Sequence, residues 1–462
     1  MMQLREAALN LQHATIAGDA SARFMRVHTD TRTAQAGDLF VALKGERFDA
    51  HDFLPQLLEK RVAAAMVAPY AQIPDGLAAI VVPDPKRALG ELARAWRKRF
   101  SPALVMVTGS NGKTTTKDMV ATIFRAAAGE ARVLATKGNL NNDIGLPLTL
   151  LGLRGEHRFA VIEAGMNHPG ETAELAAIAQ PTIVLITNAQ REHQEFMVSV
   201  EAVAREHALG VHALPADGTA VFPADDAYAG IWRAAAGTRR SLEFNSEGVH
   251  AISMRVLSQN GLETRMNIAS SIGEYPVTLR IGGHHNVRNA AAALAAAHAA
   301  GVDAAAIAQG LNAFTPAKGR MQRLTHSGFV LVDDTYNANP DSVRAAIDVL
   351  TSLSGRRVLV LGDMGEVGEH SAAFHSEVGA YAAQCGVQSL ITMGVATQAS
   401  LAAFVTAAPG AQAGHANSVQ EAADLIAALA LTQDDTVLVK GSRFMAMERV
   451  IQKLQEMERA PC

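Results

Sequence analysis

The sequence predicts an α/β protein of three domains, and two observations carry that prediction. The chain has 462 residues, too many for one hydrophobic core. At ~150 residues per domain this length gives about three domains. Short apolar runs also alternate with helical pattern along most of the chain, as βαβ units on parallel sheets do.

The first block, residues 1–86, holds strand-like runs at Asp38–Leu43 and Ala78–Val82 with helical stretches between them. It reads as a small N-terminal α/β domain. The second, 87–316, opens with a helix around Arg87–Phe100 and a strand at Leu104–Thr108. Further apolar runs follow at Phe159–Ile162 and Thr182–Thr187, as in a parallel sheet buried on both faces. Its Ala290–Ala300 stretch is a closely packed helix, since alanine is the best helix former. The third, 317–462, alternates again. Strands are predicted at Phe329–Val332, Arg357–Leu361, Leu390–Thr392 and Thr436–Val439, with helices from Pro340 and around Phe374. That pattern is Rossmann-like.

Composition narrows the function. Apolar residues form 49% of the chain and charged residues 19%, a globular balance. The net charge of −4, from 41 basic and 45 acidic residues, argues against an electrostatic nucleic-acid surface. No apolar run approaches the ~20 residues of a membrane span. Met1–Glu6 lacks a basic segment feeding an apolar one, so no secretory signal is expected. The two cysteines, Cys385 and Cys462, suggest no structural disulfide and a reducing compartment. A soluble, cytoplasmic, monomeric protein is the expectation.

The run Thr108-Gly109-Ser110-Asn111-Gly112-Lys113-Thr114-Thr115 follows a strand and precedes a helical pattern from about Thr116. In that context a glycine motif is a P-loop. Its glycines let backbone N–H groups turn onto phosphate oxygens, and the helix N-terminus adds its positive dipole end. Lys113 then bridges the β- and γ-phosphates of ATP, and Thr114 places its hydroxyl on Mg²⁺. Only two residues separate the glycines, rather than the four of the general pattern. The alternative is a Gly/Thr turn that merely opens a helix.

Mg²⁺ needs further oxygen-rich ligands from neighbouring strand ends. Glu163 ends the run Ala160-Val161-Ile162, and His193 follows the next strand. Taken singly, Glu163 is equally a surface charge and His193 a loop histidine. Their order after the phosphate loop singles them out as metal ligands beside Thr114, and with Lys113 as the catalytic group.

These residues, taken with several further runs, resemble the Mur ligases along nearly the whole chain. The runs are Asp38–Asp49, Thr108–Thr116, Lys137–Asn142, Glu163–Gly165, His285–Asn289, Asp333–Ser342, Leu361–Glu366 and Val439–Arg443. The run Asp333-Asp334-Thr335-Tyr336-Asn337-Ala338-Asn339-Pro340 is similar to that of the members that add D-alanyl-D-alanine. The Asp-Asn-Pro-Arg tetrapeptide of the sister that adds the third peptide residue is absent.

The resemblance implies an ATP-dependent amide ligase. ATP phosphorylates the carboxylate of UDP-N-acetylmuramoyl-tripeptide, D-alanyl-D-alanine attacks the acyl phosphate, and ADP and phosphate leave. The product is the pentapeptide precursor of peptidoglycan. The resemblance further implies roles by position. Asn286 and Asn289 contact the adenine side and brace the hinge, Arg320 reaches ATP from the third domain, and Asp334 lies at the ribose with Asn337 nearby. Thr31, Arg32, Lys44 and Gly45 belong to UDP-facing loops, and Asn139 and Asn142 face the muramoyl-peptide. A hinge is expected near Thr315–Lys318.

One departure stands out. Family members usually carry a carbamoylated lysine that gives a carboxylate to a second Mg²⁺. His207 stands at the matching place, and there is no lysine between Lys137 and Lys318. The expectation is that a second metal uses Glu206, His207 or water, with Glu192 and Glu195 as other local carboxylates.

Overall fold

The computed structural model describes residues 1–459. Cys385 is a free thiol, and Cys462 lies outside the described residues. No helix among them is long and apolar enough to cross a membrane.

The N-terminal sheet has five strands, in the order Thr15–Ala17, Ala79–Val81, Ala64–Val67, Asp38–Val41 and Arg26–His28. All neighbours are parallel except the Thr15–Ala17 edge. Because side chains alternate along a strand, Leu39, Val41 and Met66 face one core while Phe40, Ala65 and Val67 face another.

The central sheet has six strands, all parallel, in the order 240–244, 219–223, 183–186, 103–108, 159–163 and 133–135. Ala103–Thr108 therefore lies between Ile183–Ile186 and Phe159–Glu163. Chain order reverses there, so a crevice opens at the strands' carboxyl ends. The helix Pro85–Arg97 packs under this sheet. Trp96 Nε1 donates to Leu153 O at 3.1 Å, and Arg97 donates to Ala179 O at 3.2 Å.

A four-stranded antiparallel sheet, residues 248–279, follows. The sequence pattern for it is short. Ile252 and Met254, Met266 and Ile268, and Val277 and Leu279 alternate inward, while the opposite face is exposed. Gly261-Leu262, with Gly261 at φ +63°, turns one hairpin between the paired Asn260 and Glu263. The alanine-rich helix is His284–Ala299, with Ala290–Ala297 all buried. Helix Ala304–Ala313 lies so close to helix Lys113–Ala128 that a Cβ on Gly310 would sit 2.3 Å from Ile123 Cα.

The C-terminal sheet has six strands in the order 322–324, 330–334, 436–440, 357–362, 389–393 and 412–416. Only Gln322–Leu324 is antiparallel to its neighbour. Its helix Pro340–Thr351 begins where proline predicted, capped by the Asn339 side chain on Ser342 N. The predicted strands are present in the N-terminal, central and C-terminal sheets, with ends moved by a residue or two.

Candidate active site

Three parallel strands of the central sheet deliver the site. Ala103–Thr108 runs into the glycine loop, and the helix starts at Lys113, three residues earlier than expected. Gly112 is its N-cap, at φ +79° and with no side-chain cap, so the first amides of the helix are free for an anion. A Cβ at Gly109 would lie 2.1 Å from Thr187 Oγ1, and one at Gly112 lies 2.3 Å from Asn289 Oδ1. Both positions require glycine on conformation and on space.

The following strand end braces the loop. Ser110 N donates to Asn188 O at 3.1 Å, and Asn111 N to Asn188 Oδ1 at 2.9 Å. Thr187 Oγ1 donates to Asn111 O at 2.8 Å. Lys113 curls back into its own loop. Its ammonium donates to Gly109 O, to Ser110 O at 3.1 Å and to Glu192 Oε2 at 3.2 Å.

Glu163, at the end of Phe159–Glu163, is buried. Its Oε1 accepts from Asn141 Nδ2 at 2.8 Å, and its Oε2 has no partner. A buried carboxylate oxygen left open toward the loop suits a hard cation. His193 adopts φ +48°, an uncommon backbone for a non-glycine residue. Its Nδ1 lies 2.7 Å from Glu366 Oε2 of the third domain. Glu366 also has positive φ, +57°, and His193 holds its carboxyl below the usual range. His193 thus reaches the third domain through Nδ1, while its Nε2 lies 3.9 Å from Glu192 Oε2 on the cleft side.

The third domain closes the cleft. Arg320 stacks over Tyr336, its Cζ 3.9 Å from the ring centre, and donates from Nη2 to Thr114 Oγ1 at 3.1 Å. Its Nε is buried without a partner. Asn111 and Asn339 exchange side-chain contacts across the gap, Asn339 Nδ2 to Asn111 Oδ1 at 3.0 Å. Arg191 joins both Asp341, at 2.6 Å, and Glu377, at 2.7 Å. Asp334 is engaged already: Oδ2 pairs with Lys440 Nζ at 2.7 Å and Oδ1 accepts from Met321 N at 3.0 Å. Asn337 holds Lys440 through its carbonyl at 2.9 Å. Asn289 donates to Asn286 Oδ1 at 3.1 Å, and Asn286 to Gly282 O at 2.7 Å. The Asn289 side chain so held packs against Gly112 of the phosphate loop.

One cleft of about 1230 Å³ brings these groups together, from Ser110–Thr115 through Glu163, His193, Asn286, Asn289, Arg320, Asp334 and Asn337. Asn139 and Asn142 line it too. Asn142 Oδ1 accepts from Gly145 N at 2.9 Å. Thr108 ends the strand behind the loop, its hydroxyl 3.0 Å from His207 Nδ1. Thr31, Arg32, Lys44 and Gly45 are not brought to this cleft. They lie in loops after the adjacent parallel strands Arg26–His28 and Asp38–Val41, at one end of the N-terminal sheet. There Arg32 pairs with Asp30 at 2.7 Å, and Gly45 N donates to Phe48 O at 2.9 Å.

The expected alternative ligands need correction. Glu206 accepts from Gly170 N and Thr172 N, both at 2.9 Å, at the start of helix Glu171–Ala179. Its carboxylate caps that helix and is not free for a cation. His207 is fully buried, with one nitrogen on Thr108 and the other 3.1 Å from Glu192 Oε1. Burial alone pushes Glu192 up. Lys113, His207 and His193 outweigh it and hold the carboxyl at about 2. Sequence reasoning passed over Arg191 and Asn339. Their signal lay in their place just after a strand end and at a helix cap, but the partners sit in another domain.

The molecule can be set beside known proteins on this geometry. Residues 107–297 match the Mur ligase middle domain, and 319–443 match the Mur ligase glutamate ligase domain. The chain is 38% identical to UDP-N-acetylmuramoyl-tripeptide–D-alanyl-D-alanine ligase of Escherichia coli, covering 96% of each chain. It superposes on MurF of Acinetobacter baumannii with TM-score 0.88 at 33% identity, covering 98% of this chain and 99% of that one. For MurF of Thermotoga maritima in complex with ADP the values are 0.80, 26%, 95% and 99%. With relatives this similar along nearly its whole length, the chain belongs to the Mur ligase family.

Proposed function

We propose that this chain is an ATP-dependent ligase joining D-alanyl-D-alanine to UDP-N-acetylmuramoyl-tripeptide, to give the pentapeptide used in peptidoglycan synthesis. The single observation that carries this reading is the shared cleft, where a phosphate loop of the central domain faces Arg320 of the next. It agrees with full-length relatives that bear that name. The working division is 1–86 for the UDP precursor, 87–316 for ATP, and 317–462 for ATP and the acceptor dipeptide. A cytoplasmic monomer fits the reading.

A carboxylate is a poor electrophile, and its attack on ATP brings two anions together. Lys113 leaves its carbonyl and Glu192 contacts to meet the phosphates, while the free amides of Gly112–Thr114 receive phosphate oxygens. Arg320 adds an unpaired Nε–H and a fixed guanidinium plane on Tyr336. Asp334, held by Lys440, and the Asn286–Asn289 pair shape the nucleotide's other end. Thr114 and Glu163 would hold Mg²⁺, which when bound neutralises phosphate charge. His193 would be the third residue to hold it. The dipeptide amine then attacks the acyl phosphate, forming a tetrahedral centre that collapses with loss of phosphate.

Phosphate release tests this directly. It is expected only when UDP-N-acetylmuramoyl-tripeptide and D-alanyl-D-alanine are both present. Release that ignores both substrates supports a switch ATPase instead.

A further inference from the structure

Behind the phosphate loop lies a polar chain that the reaction described above does not use. Glu192 is 6% exposed and His207 not at all. Thr108 Oγ1 meets His207 Nδ1 at 3.0 Å, and His207 Nε2 meets Glu192 Oε1 at 3.1 Å. A neutral imidazole satisfies both contacts, accepting from the threonine and donating to the carboxylate. Glu192 is thereby fixed with its other oxygen toward Lys113 Nζ, 3.2 Å away, and 3.9 Å from His193 Nε2.

In the free loop, Lys113 neutralises this buried carboxylate. ATP phosphates claim the same ammonium, which rests on the nucleotide reading above. Glu192 then stands beside phosphate oxygens without its cation. A buried carboxylate that keeps the His207 hydrogen bond but has lost its counter-charge, next to further negative charge, is strongly unfavourable. A divalent cation shared by the carboxylate and the phosphates restores the balance. Across the cleft, Glu163 Oε2 is buried and unpartnered, which provides for a separate cation at Thr114. Among the described residues no three His, Cys, Asp or Glu side chains form a metal cage. The second cation therefore needs the nucleotide's oxygens to complete its shell. No lysine in 138–317 can supply a modified carboxylate, and Glu206 is committed to Gly170 N and Thr172 N.

We propose that Glu192, positioned by His207, is the carboxylate ligand of a second divalent cation that binds only together with the nucleotide phosphates.

The test is a count of bound Mn²⁺, by electron paramagnetic resonance of the free ion, in the full chain with a non-hydrolysable ATP analogue. The wild-type protein is expected to bind two Mn²⁺ per nucleotide and Glu192→Gln one, with the analogue still bound. Glu192→Asp keeps the charge with a shorter reach, and should retain both ions with the second weakened about tenfold. His207→Gln should weaken only the second ion, again about tenfold, and leave the first unchanged. Two ions in Glu192→Gln, or wild-type second-site affinity in Glu192→Asp, overturn the proposal. A single ion in the wild-type protein overturns it while leaving the nucleotide site standing. Failure of the wild-type protein to bind the analogue at all overturns the nucleotide reading as well.

Discussion

Removing the Arg191 guanidinium should loosen the contact between the central and C-terminal domains. Arg191 sends Nη2 to Asp341 Oδ1 at 2.6 Å and Nη1 to Glu377 Oε2 at 2.7 Å, with two further contacts at 3.1 Å. Those carboxylates raise its own pKa, Glu377 foremost. The side chain is 23% exposed and its partners 22% and 32%. Hydrogen bonds to charged groups contribute about 1.5–3 kcal/mol each when buried. Exposed pairs contribute about 0–1 kcal/mol. Half-buried as these are, about 1 kcal/mol per carboxylate is a fair value, or about 2 kcal/mol in all. That corresponds to an about 30-fold shift in the equilibrium between closed and open arrangements. Arg191→Ala should then raise the radius of gyration in small-angle scattering without nucleotide. It should also weaken apparent ATP affinity by up to about 30-fold. Arg191→Lys keeps a charge but loses the two-pronged geometry, and should fall between. Scattering and ATP affinity both unchanged in Arg191→Ala would refute the assignment of Arg191 as an interdomain latch.

Three further predictions follow from single positions. Gly112→Ala places a Cβ at φ +79° and 2.3 Å from Asn289 Oδ1; the backbone strain alone is about 1–2 kcal/mol, and calorimetry should show nucleotide affinity reduced at least tenfold. Gly310→Ala pushes a methyl onto the Ile123 backbone at 2.3 Å, an overpacking that should lower stability by about 1–3 kcal/mol in urea titration. Glu192 is held at about 2, below its ordinary 4.5, so it stabilises the fold fully above about pH 4.5 and loses that contribution as pH falls toward 2. The gap in urea midpoint between wild type and Glu192→Gln should shrink over that window, and a constant gap would contradict the Lys113–Glu192–His207 arrangement.

How much of this was legible in the sequence depends on the range of the interaction. The parallel strands and the phosphate loop are local patterns: five or six apolar residues, then Gly-x-x-Gly-Lys-Thr. They fell where expected. The antiparallel sheet at 248–279 leaves little trace in the sequence, because its inward positions number only two or three per strand. Glu163 and His193 were picked out by order along the chain. Order could not show that His193 lies against Glu366, since that contact joins residues 173 positions apart. Likewise, the sequence shows His207 only as a histidine where a lysine is expected. Its two partners, Thr108 and Glu192, and the engagement of Glu206 with helix amides became visible only in three dimensions. Asn111–Asn339 and Arg191–Asp341 are of the same kind. Side chains that join domains carry no periodic signal.

In the proposed function, one cleft couples ATP cleavage to formation of an amide bond. Its most direct measurement is the stoichiometry of products by mass spectrometry, from ATP, UDP-N-acetylmuramoyl-tripeptide and D-alanyl-D-alanine together. One ADP is expected for each UDP-N-acetylmuramoyl-pentapeptide, and neither product when the tripeptide or the dipeptide is left out. ADP accumulating at the same rate without pentapeptide would contradict it.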